Sequence, residues 1–127
     1  MDNIEEALPV EEVTKEEPRI SIDDLAKVHV QVGTVLSAEQ VPDTDKLLKL
    51  SVEFGEPTGP RQIVSGINEY VSSPEELVGK QLAFVTNLKP RTIKGLESNG
   101  MLFAVGNKDT FAFLSPSKDV PPGTSAH

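Results

Sequence analysis

The most regular pattern in the sequence is an alternation of apolar and polar residues between positions 48 and 54. The apolar positions are Leu48, Leu50, Val52 and Phe54. A period of two predicts a β-strand with one face in a core and the other face toward solvent. Shorter apolar runs predict further strands over residues 28–35, 62–67, 81–88, 101–105 and 111–114.

Glycine and proline breaks separate these runs, and only two short helices are predicted. Ser21 and Asp24 can form a capping box at one helix start, and Ser73 precedes Pro74 at the other. The alternation of the first strand slips at Gly33, which predicts a bulge or bend there. We therefore predict an all-β fold: a five-stranded OB-fold barrel with short helices and a C-terminal extra-strand extension at 111–114.

Charge is distributed unevenly along the 127 residues, whose formal net charge is −8. The first twenty residues hold seven acids and two bases, which gives −5, and they lack a sustained apolar period. We predict that residues 1–19 are an acidic disordered tail or linker and that residues 20–127 form the domain. A second interpretation makes the tail an acidic arm that shields basic residues of the domain.

Several classes of function are disfavoured by what the sequence lacks. It has no cysteine and two histidines, so a thiolate or histidine-based zinc site is not expected. We find no signal-peptide pattern, no apolar run long enough for a membrane span and no nucleophile, Walker or dinucleotide motif. The expectation is a soluble cytoplasmic protein without a cofactor that is not itself an enzyme.

Three cations lie within six positions, at Lys89, Arg91 and Lys94. Like charges this close repel one another, so a polyanionic partner would explain them better than packing would. Pro90 restricts the backbone at the cluster, and Gly95 allows a sharp bend beyond it. We interpret the segment as a preorganised loop that faces phosphates, with a solvated surface loop as the alternative.

Three further cations, Lys46, Lys49 and Arg61, could join this cluster in one basic face, because a barrel brings its loops together. Each of them alone is better explained as an ordinary surface position. The chain has six aromatic residues, most of them in predicted strands. Because base stacking needs aromatic platforms, their scarcity favours contacts to phosphate and 2′-hydroxyl groups of a folded RNA.

Motifs between Ile20 and Gly123 resemble the tRNA-binding OB domain of methionyl-tRNA synthetases and of free-standing bacterial tRNA-binding proteins. The matching segments are Val32-Gly33, Asp45–Leu50, Arg61–Ile67, Glu76–Lys80, Asn87–Arg91, Gly95, Glu97-Ser98, Gly100-Met101 and Val120–Gly123. The resemblance implies an OB barrel that binds the outer corner of tRNA with little sequence specificity. It also implies a homodimer, with the C-terminal extension near the interface, and a methionyl-tRNA synthetase catalytic domain as a partner.

The resemblance also implies which residues contact RNA. They are Lys46, Asn87, Lys89, Arg91, Lys94, Ser98 and Met101. Lys89 and Arg91 would bind phosphate, Asn87 and Ser98 would hydrogen-bond sugar or backbone, and Met101 would pack behind the loop. The family often has Asp at His29, Arg at Gln31, a base at Thr92 and Gln at Asn99. With about three to five phosphate contacts, the slope of log affinity against log salt would be roughly −2 to −4.

Three other interpretations stay open. CsaA-type chaperones resemble the same fold and bind unfolded polypeptides, but they lack the Asn-Leu-Lys-Pro-Arg arrangement of residues 87–91. The chain could also be the detached end or a separate subunit of a methionyl-tRNA synthetase. A third possibility is an assembly scaffold that docks through the strand Phe111–Leu114.

Overall fold

The computed structural model describes residues 18–127, which form one α-helical turn, two 3₁₀ turns and nine strands. Helix α1 is Ile22–Leu25, and the 3₁₀ turns are Asn68–Tyr70 and Pro74–Leu77. The strands are β1 (Val30–Gln40), β2 (Leu48–Glu53), β3 (Arg61–Ser65), β4 (Gln81–Val85), β5 (Arg91–Ile93), β6 (Leu96–Ser98), β7 (Met101–Leu102), β8 (Ala104–Val105) and β9 (Ala112–Phe113). The tail prediction lies largely outside the described residues and stays a prediction.

Five strands form an antiparallel sheet in the order β3-β2-β1-β4-β7. The sheet curls because β1 changes partners near Thr34, pairing with β4 before that residue and with β2 after it. The strands nearly close into a barrel where Asn99 donates its backbone N–H to the carbonyl of Gln62 at 2.8 Å. The predicted all-β OB-type barrel is therefore confirmed.

The bulge of β1 lies at Leu36, between the paired residues Val35 and Ser37, and not at Gly33 as predicted. Gly33 serves packing. A Cβ atom there would lie 2.5 Å from Val52 Cγ1 and 2.6 Å from Phe54 Cε1. The pattern break at Gly33 thus marks a close approach of side chains to the backbone, which only a residue without a side chain allows.

The barrel interior is filled by the alternating residues that the sequence indicates. Leu48, Leu50 and Val52 are fully buried, and the ring of Phe54 meets the ring of Phe84 edge to face at 5.5 Å between centroids. Burying each such side chain contributes roughly 1.5–3 kcal/mol, so this alternation supplies much of the driving force for folding.

The two predicted helix starts differ in outcome. At α1 the capping box forms: Ser21 Oγ accepts from the backbone N–H of Asp24, and Asp24 accepts from that of Ser21. At the second start, Pro74 begins a 3₁₀ turn, but the side chain of Ser73 caps nothing. The second capping prediction is wrong because Ser73 supplies its backbone carbonyl, not its hydroxyl, to Glu76 N–H.

The C-terminal part covers one edge of the barrel in two steps. The predicted extra strand is found as β9, which pairs with β8 in a separate ribbon instead of extending the main sheet. The chain then returns beside β1, where Gly123 N–H donates to Val32 O at 2.7 Å and Ala126 N–H donates to Val30 O at 2.8 Å. We call residues 123–126 the C-terminal strap.

In the part of the chain that the structure describes, no helix has both the length and the apolar character needed to cross a membrane.

Candidate nucleic-acid interface

The three clustered cations lie on or beside a β-hairpin, whereas the sequence analysis predicted a preorganised loop without strands. Strands β5 and β6 pair in the register Arg91↔Ser98, Thr92↔Glu97 and Ile93↔Leu96. Lys94 and Gly95 form the turn, with φ of 51° and 78°. Positive φ at both central residues is typical of a type I′ turn, whose twist matches that of the strands. The hairpin therefore presents its cations from a defined backbone.

The cations of this hairpin have no anionic partner among residues 18–127. Lys89, Arg91 and Lys94 are exposed. Among the described residues, the ion pairs join Lys27 to Asp24, Lys49 to Glu39 and Arg61 to Glu56. The hairpin thus offers positive charge to an external anion without first having to break a pair.

Ser98 attaches the hairpin to the barrel. Its side chain is 2% exposed, and its Oγ accepts from the backbone N–H of Val64 at 3.0 Å and donates to Gly100 O at 3.2 Å. The role that the sequence analysis gave to Ser98, a hydrogen bond to RNA, does not fit this burial. The hydroxyl instead fixes the position from which the neighbouring cations project.

Asn87 joins the end of β4 to the segment that precedes β1. Its Nδ2 donates to Lys27 O at 2.6 Å, and its Oδ1 accepts from the backbone N–H of His29 at 2.8 Å. The amide is exposed but already engaged on both sides. Asn87 is therefore placed to hold the start of the basic segment, two residues before Lys89, and its hydrogen bond to RNA stays a prediction.

Lys46 and the tip of the hairpin lie toward the same end of the barrel. Ser98 meets Val64 and Asn99 meets Gln62, so the hairpin runs antiparallel to β3 and its tip points toward Ser65. Ser65 pairs with Leu48, two residues beyond Lys46. Lys46 is exposed there and can extend the hairpin's charge.

Lys49 lies on the outward face of β2, where it pairs across the sheet with Glu39 on β1. Its Nζ is 3.5 Å from Glu39 Oε1, and both side chains are well exposed. Such surface pairs contribute little, so Lys49 can exchange this partner for a phosphate at small cost.

Arg61 differs from the other predicted cations because every part of its guanidinium is engaged. Its Nε and Nη2 donate to the two oxygens of Glu56 at 2.9 and 2.6 Å, and its Nη1 donates to Thr86 O at 2.8 Å. The group also lies 5.4 Å from the centre of the Phe54 ring. Hydrogen bonding to Glu56 raises the pKa of Arg61, and hydrogen bonding to Arg61 lowers the pKa of Glu56, with burial opposing both. The charge of Arg61 is therefore neutralised by its neighbour Glu56.

Met101 lies on β7 opposite Val85, and 39% of it is exposed. The neighbouring outward residue Phe103 is 43% exposed, although the sequence analysis assigned most aromatic residues to the core. Both residues are thus partly exposed, Met101 in the strand that follows the hairpin and Phe103 directly after it. Met101 is therefore at the surface rather than behind the hairpin.

A polar groove of about 530 Å³ runs between the hairpin and the segment that leads into β3. It is lined by Glu56, Thr58, Gly59, Pro60, Arg61, Gln62, Glu97 and Asn99. Sequence reasoning placed only Arg61 of these in the site. The lining comes from two segments 35 residues apart that meet through the bond from Gln62 Nε2 to Glu97 O. In the sequence, the motif Glu97-Ser98 was the one signal that could have pointed to this groove.

With this geometry known, comparison with known proteins identifies the family. A family model described as "Putative tRNA binding domain" matches residues 30–125. The methionine–tRNA ligase of Methanocorpusculum labreanum is 54% identical over 108 residues, which are 85% of this chain and 15% of that ligase. The chain thus spans about 15% of the length of this ligase.

Two solved structures share the fold. The MetRS-related protein of Pyrococcus horikoshii superposes with a TM-score of 0.79 at 38% identity, covering 87% of this chain and 100% of that protein. The chaperone CsaA of Bacillus anthracis superposes with a TM-score of 0.75 at 27% identity and the same coverage. From the matching model and the shared barrel, the chain belongs to the family of tRNA-binding domains related to methionine–tRNA ligases.

Proposed function

We propose that the chain binds tRNA through the β5–β6 hairpin, recognising shape and backbone with little sequence specificity. The observation that carries this proposal is the set of hairpin cations, Lys89, Arg91 and Lys94, which lack ion-pair partners among residues 18–127. Lys46 extends the contact at the tip of the hairpin, and Lys49 adds a cation on the outward face of β2. Phosphates of the RNA take the place of the solvent around these groups, and displaced counterions supply the gain in free energy.

Lys94 gives additional support, because its backbone conformation is unfavourable for lysine. At φ 51°, Asn, Asp or Gly would fit the turn at lower cost, and the strain is on the order of 1 kcal/mol. A lysine held at the tip of a two-residue turn is explained by a use for its long cationic side chain. Binding of a phosphate is that use.

Salt dependence tests this proposal directly. Titration of total tRNA into the protein at several salt concentrations should give a slope of log affinity against log salt of roughly −2 to −4. Replacing Lys89 and Arg91 with alanine should make the slope shallower by about 2. An affinity indifferent to salt would contradict the phosphate-binding role of the hairpin.

The partner of this function is proposed to be the catalytic region of a methionyl-tRNA synthetase, in the same chain or as a separate subunit. Holding tRNA beside that region makes its capture intramolecular and raises its effective concentration. The chain itself is not expected to charge tRNA, and the cytoplasm is its proposed location. Aminoacylation assays of the purified chain alone and of a ligase with and without it would test both parts.

We further propose that the chain forms a homodimer through the region around α1. Ile22 and Leu25 are 77% and 53% exposed, and Val28, which follows them, is 49% exposed. This apolar surface continues into the start of β1, which the C-terminal strap covers through Ala126. Sedimentation should give a dimer for the full chain and a monomer for the Ile22→Asp/Leu25→Asp variant, while a monomeric full chain would contradict the proposal.

A chaperone activity is the second candidate, because the Bacillus anthracis protein named chaperone CsaA shares the fold. The hairpin cations favour RNA over an unfolded polypeptide, since an apolar segment gains nothing from them. A competition experiment separates the two. An unfolded preprotein that displaces tRNA at equal concentration would favour the chaperone, and a failure to displace it would favour the tRNA-binding function.

A further inference from the structure

We propose that the polar groove beside the hairpin binds one unpaired guanine base of the RNA, with the carboxylate of Glu97 accepting hydrogen bonds from that base. The inference rests on the proposed tRNA binding and refines it, because it assigns base recognition to a site otherwise devoted to phosphates. Phosphate contacts alone give no role to Glu97 and Asn99, which line this groove.

Glu97 is the residue that phosphate binding does not explain. It lies on β6 opposite Thr92, between the positions of Arg91 and Lys94 along the hairpin. A carboxylate there repels phosphates and weakens the field of the neighbouring cations. Its side chain is exposed and has no ion-pair or hydrogen-bond partner within residues 18–127. A ligand that carries hydrogen-bond donors would supply the partner that the Glu97 carboxylate lacks.

Guanine fits this acceptor better than the other bases. An ionised carboxylate has two oxygens that only accept hydrogen bonds. Guanine carries two adjacent donors, N1–H and the N2 amino group, on its Watson–Crick edge, so both oxygens can be used at once. Unpaired RNA bases are commonly recognised on that edge. The other bases present acceptors beside their donors there.

The groove has the size and polarity that a base needs. Its volume of about 530 Å³ lies within the range usual for ligand sites, and its lining is polar, which disfavours an apolar ligand. Asn99 lines the same groove, and its side-chain amide also has no hydrogen-bond partner in the described part of the chain. That amide can donate to guanine O6 or accept from a ribose hydroxyl.

Arg61 supplies a flat surface for stacking. Arg61 lines the groove, and its guanidinium lies over the Phe54 ring, 5.4 Å from the ring centre. Bonds to Glu56 and to the carbonyls of Thr86 and Asn99 fix its plane. Bases in RNA complexes stack on arginine planes as well as on aromatic rings. The subsite therefore needs no exposed aromatic residue, which removes the objection raised by their scarcity in the sequence.

The experiment uses the full chain and short oligouridylates that carry one central guanosine, or one inosine in the same place. Inosine lacks the N2 amino group and is otherwise alike. The wild type should bind the guanosine oligonucleotide about tenfold more tightly, in line with the loss of one hydrogen bond to a carboxylate when inosine takes its place. Glu97→Gln should lose this preference, because its amide has one acceptor oxygen. The matched control Glu69→Gln, an exposed acid on a 3₁₀ turn, should retain it.

The outcomes separate the subsite from the proposed function. Equal binding of the two oligonucleotides by the wild type, or an unchanged preference in Glu97→Gln, overturns the guanine subsite. A Glu97→Gln variant that binds both oligonucleotides more tightly by the same factor also overturns it, since Glu97 then only repels phosphate. Salt-dependent tRNA binding that persists in any of these cases leaves the proposed function standing, and its absence overturns both.

Discussion

Arg61 and the hairpin cations look alike in the sequence, yet the structure uses their charges differently. Arg61 is bound by Glu56, by two backbone carbonyls and by the ring of Phe54. Lys89, Arg91 and Lys94 extend from a hairpin with no anion beside them in residues 18–127. A cation is therefore available to a polyanion only where the fold leaves it unpaired.

Replacing Arg61 with alanine should lower the free energy of unfolding by about 2–4 kcal/mol, because Glu56 and two carbonyls lose their donor in a partly buried place. The salt slope of tRNA binding should not change, since the charge that is removed was already neutralised. Urea unfolding and a salt titration measure the two quantities. A shallower slope in Arg61→Ala would break the contrast with the hairpin.

The Lys89→Ala/Arg91→Ala variant should behave in the opposite way. Its tRNA affinity at low salt should fall by a factor on the order of ten or more, whereas its unfolding free energy should change by less than about 0.5 kcal/mol. Gel shifts with total tRNA and thermal unfolding provide the measurements. Lys108→Ala/Lys118→Ala removes the same charge from other exposed positions and serves as the matched control. An equal loss of affinity in the control would mean that net charge, not the hairpin, governs binding.

Ser98→Ala should show that the hairpin depends on its attachment to the barrel. Losing the buried bonds to Val64 and Gly100 should cost about 1–3 kcal/mol of unfolding free energy. The affinity should fall as well, but less than in the double variant, because the cations remain. Hydrogen exchange of the Val64 amide reports the loosened contact. An unaltered exchange rate would indicate that Ser98 does not hold the hairpin.

The substitution Lys94→Asn should change stability and tRNA binding in opposite directions. Asparagine adopts positive φ more readily than lysine, so the free energy of unfolding should rise by roughly 0.5 kcal/mol. The tRNA affinity should nevertheless drop a few-fold, because the cation at the tip is lost. Unfolding curves and tRNA titrations of one preparation suffice. A gain in both quantities would remove Lys94 from the interface.

The smallest effect should come from pH. Hydrogen bonding to Arg61 lowers the pKa of Glu56 below its ordinary value of 4.5, so the ionised form stabilises the folded chain. This contribution is fully present above pH 4.5 and disappears as pH falls through the lowered pKa of the folded state. Melting temperatures between neutral and acidic pH should therefore fall more steeply for the wild type than for Glu56→Gln. Parallel curves would contradict the role assigned to this pair.

The barrel was predictable from the sequence because strand periodicity reports directly which residues face the core. Leu48, Leu50 and Val52 alternate in the sequence and are fully buried in the structure. The bulge position was not predictable, because the close contact of Gly33 with Phe54 and the irregular pairing at Leu36 both interrupt the same pattern. The missing cap at Ser73 was equally hidden, since the sequence does not say whether a serine uses its hydroxyl or its carbonyl.

Local patterns in the sequence were enough to predict the alternation that builds the barrel, the accumulation of cations between Lys89 and Lys94, and a sharp bend at Gly95. Which polar groups remain free became evident only from the folded chain. Folding engages Arg61, Asn87 and Ser98 in hydrogen bonds to Glu56, Lys27 and Val64, which lie 5 to 60 positions away. It also places Glu97 at a groove that Gln62 lines as well. The physical reason is that periodicity is local, whereas the pairing of a charge or a hydrogen-bonding group depends on neighbours that the closed barrel supplies.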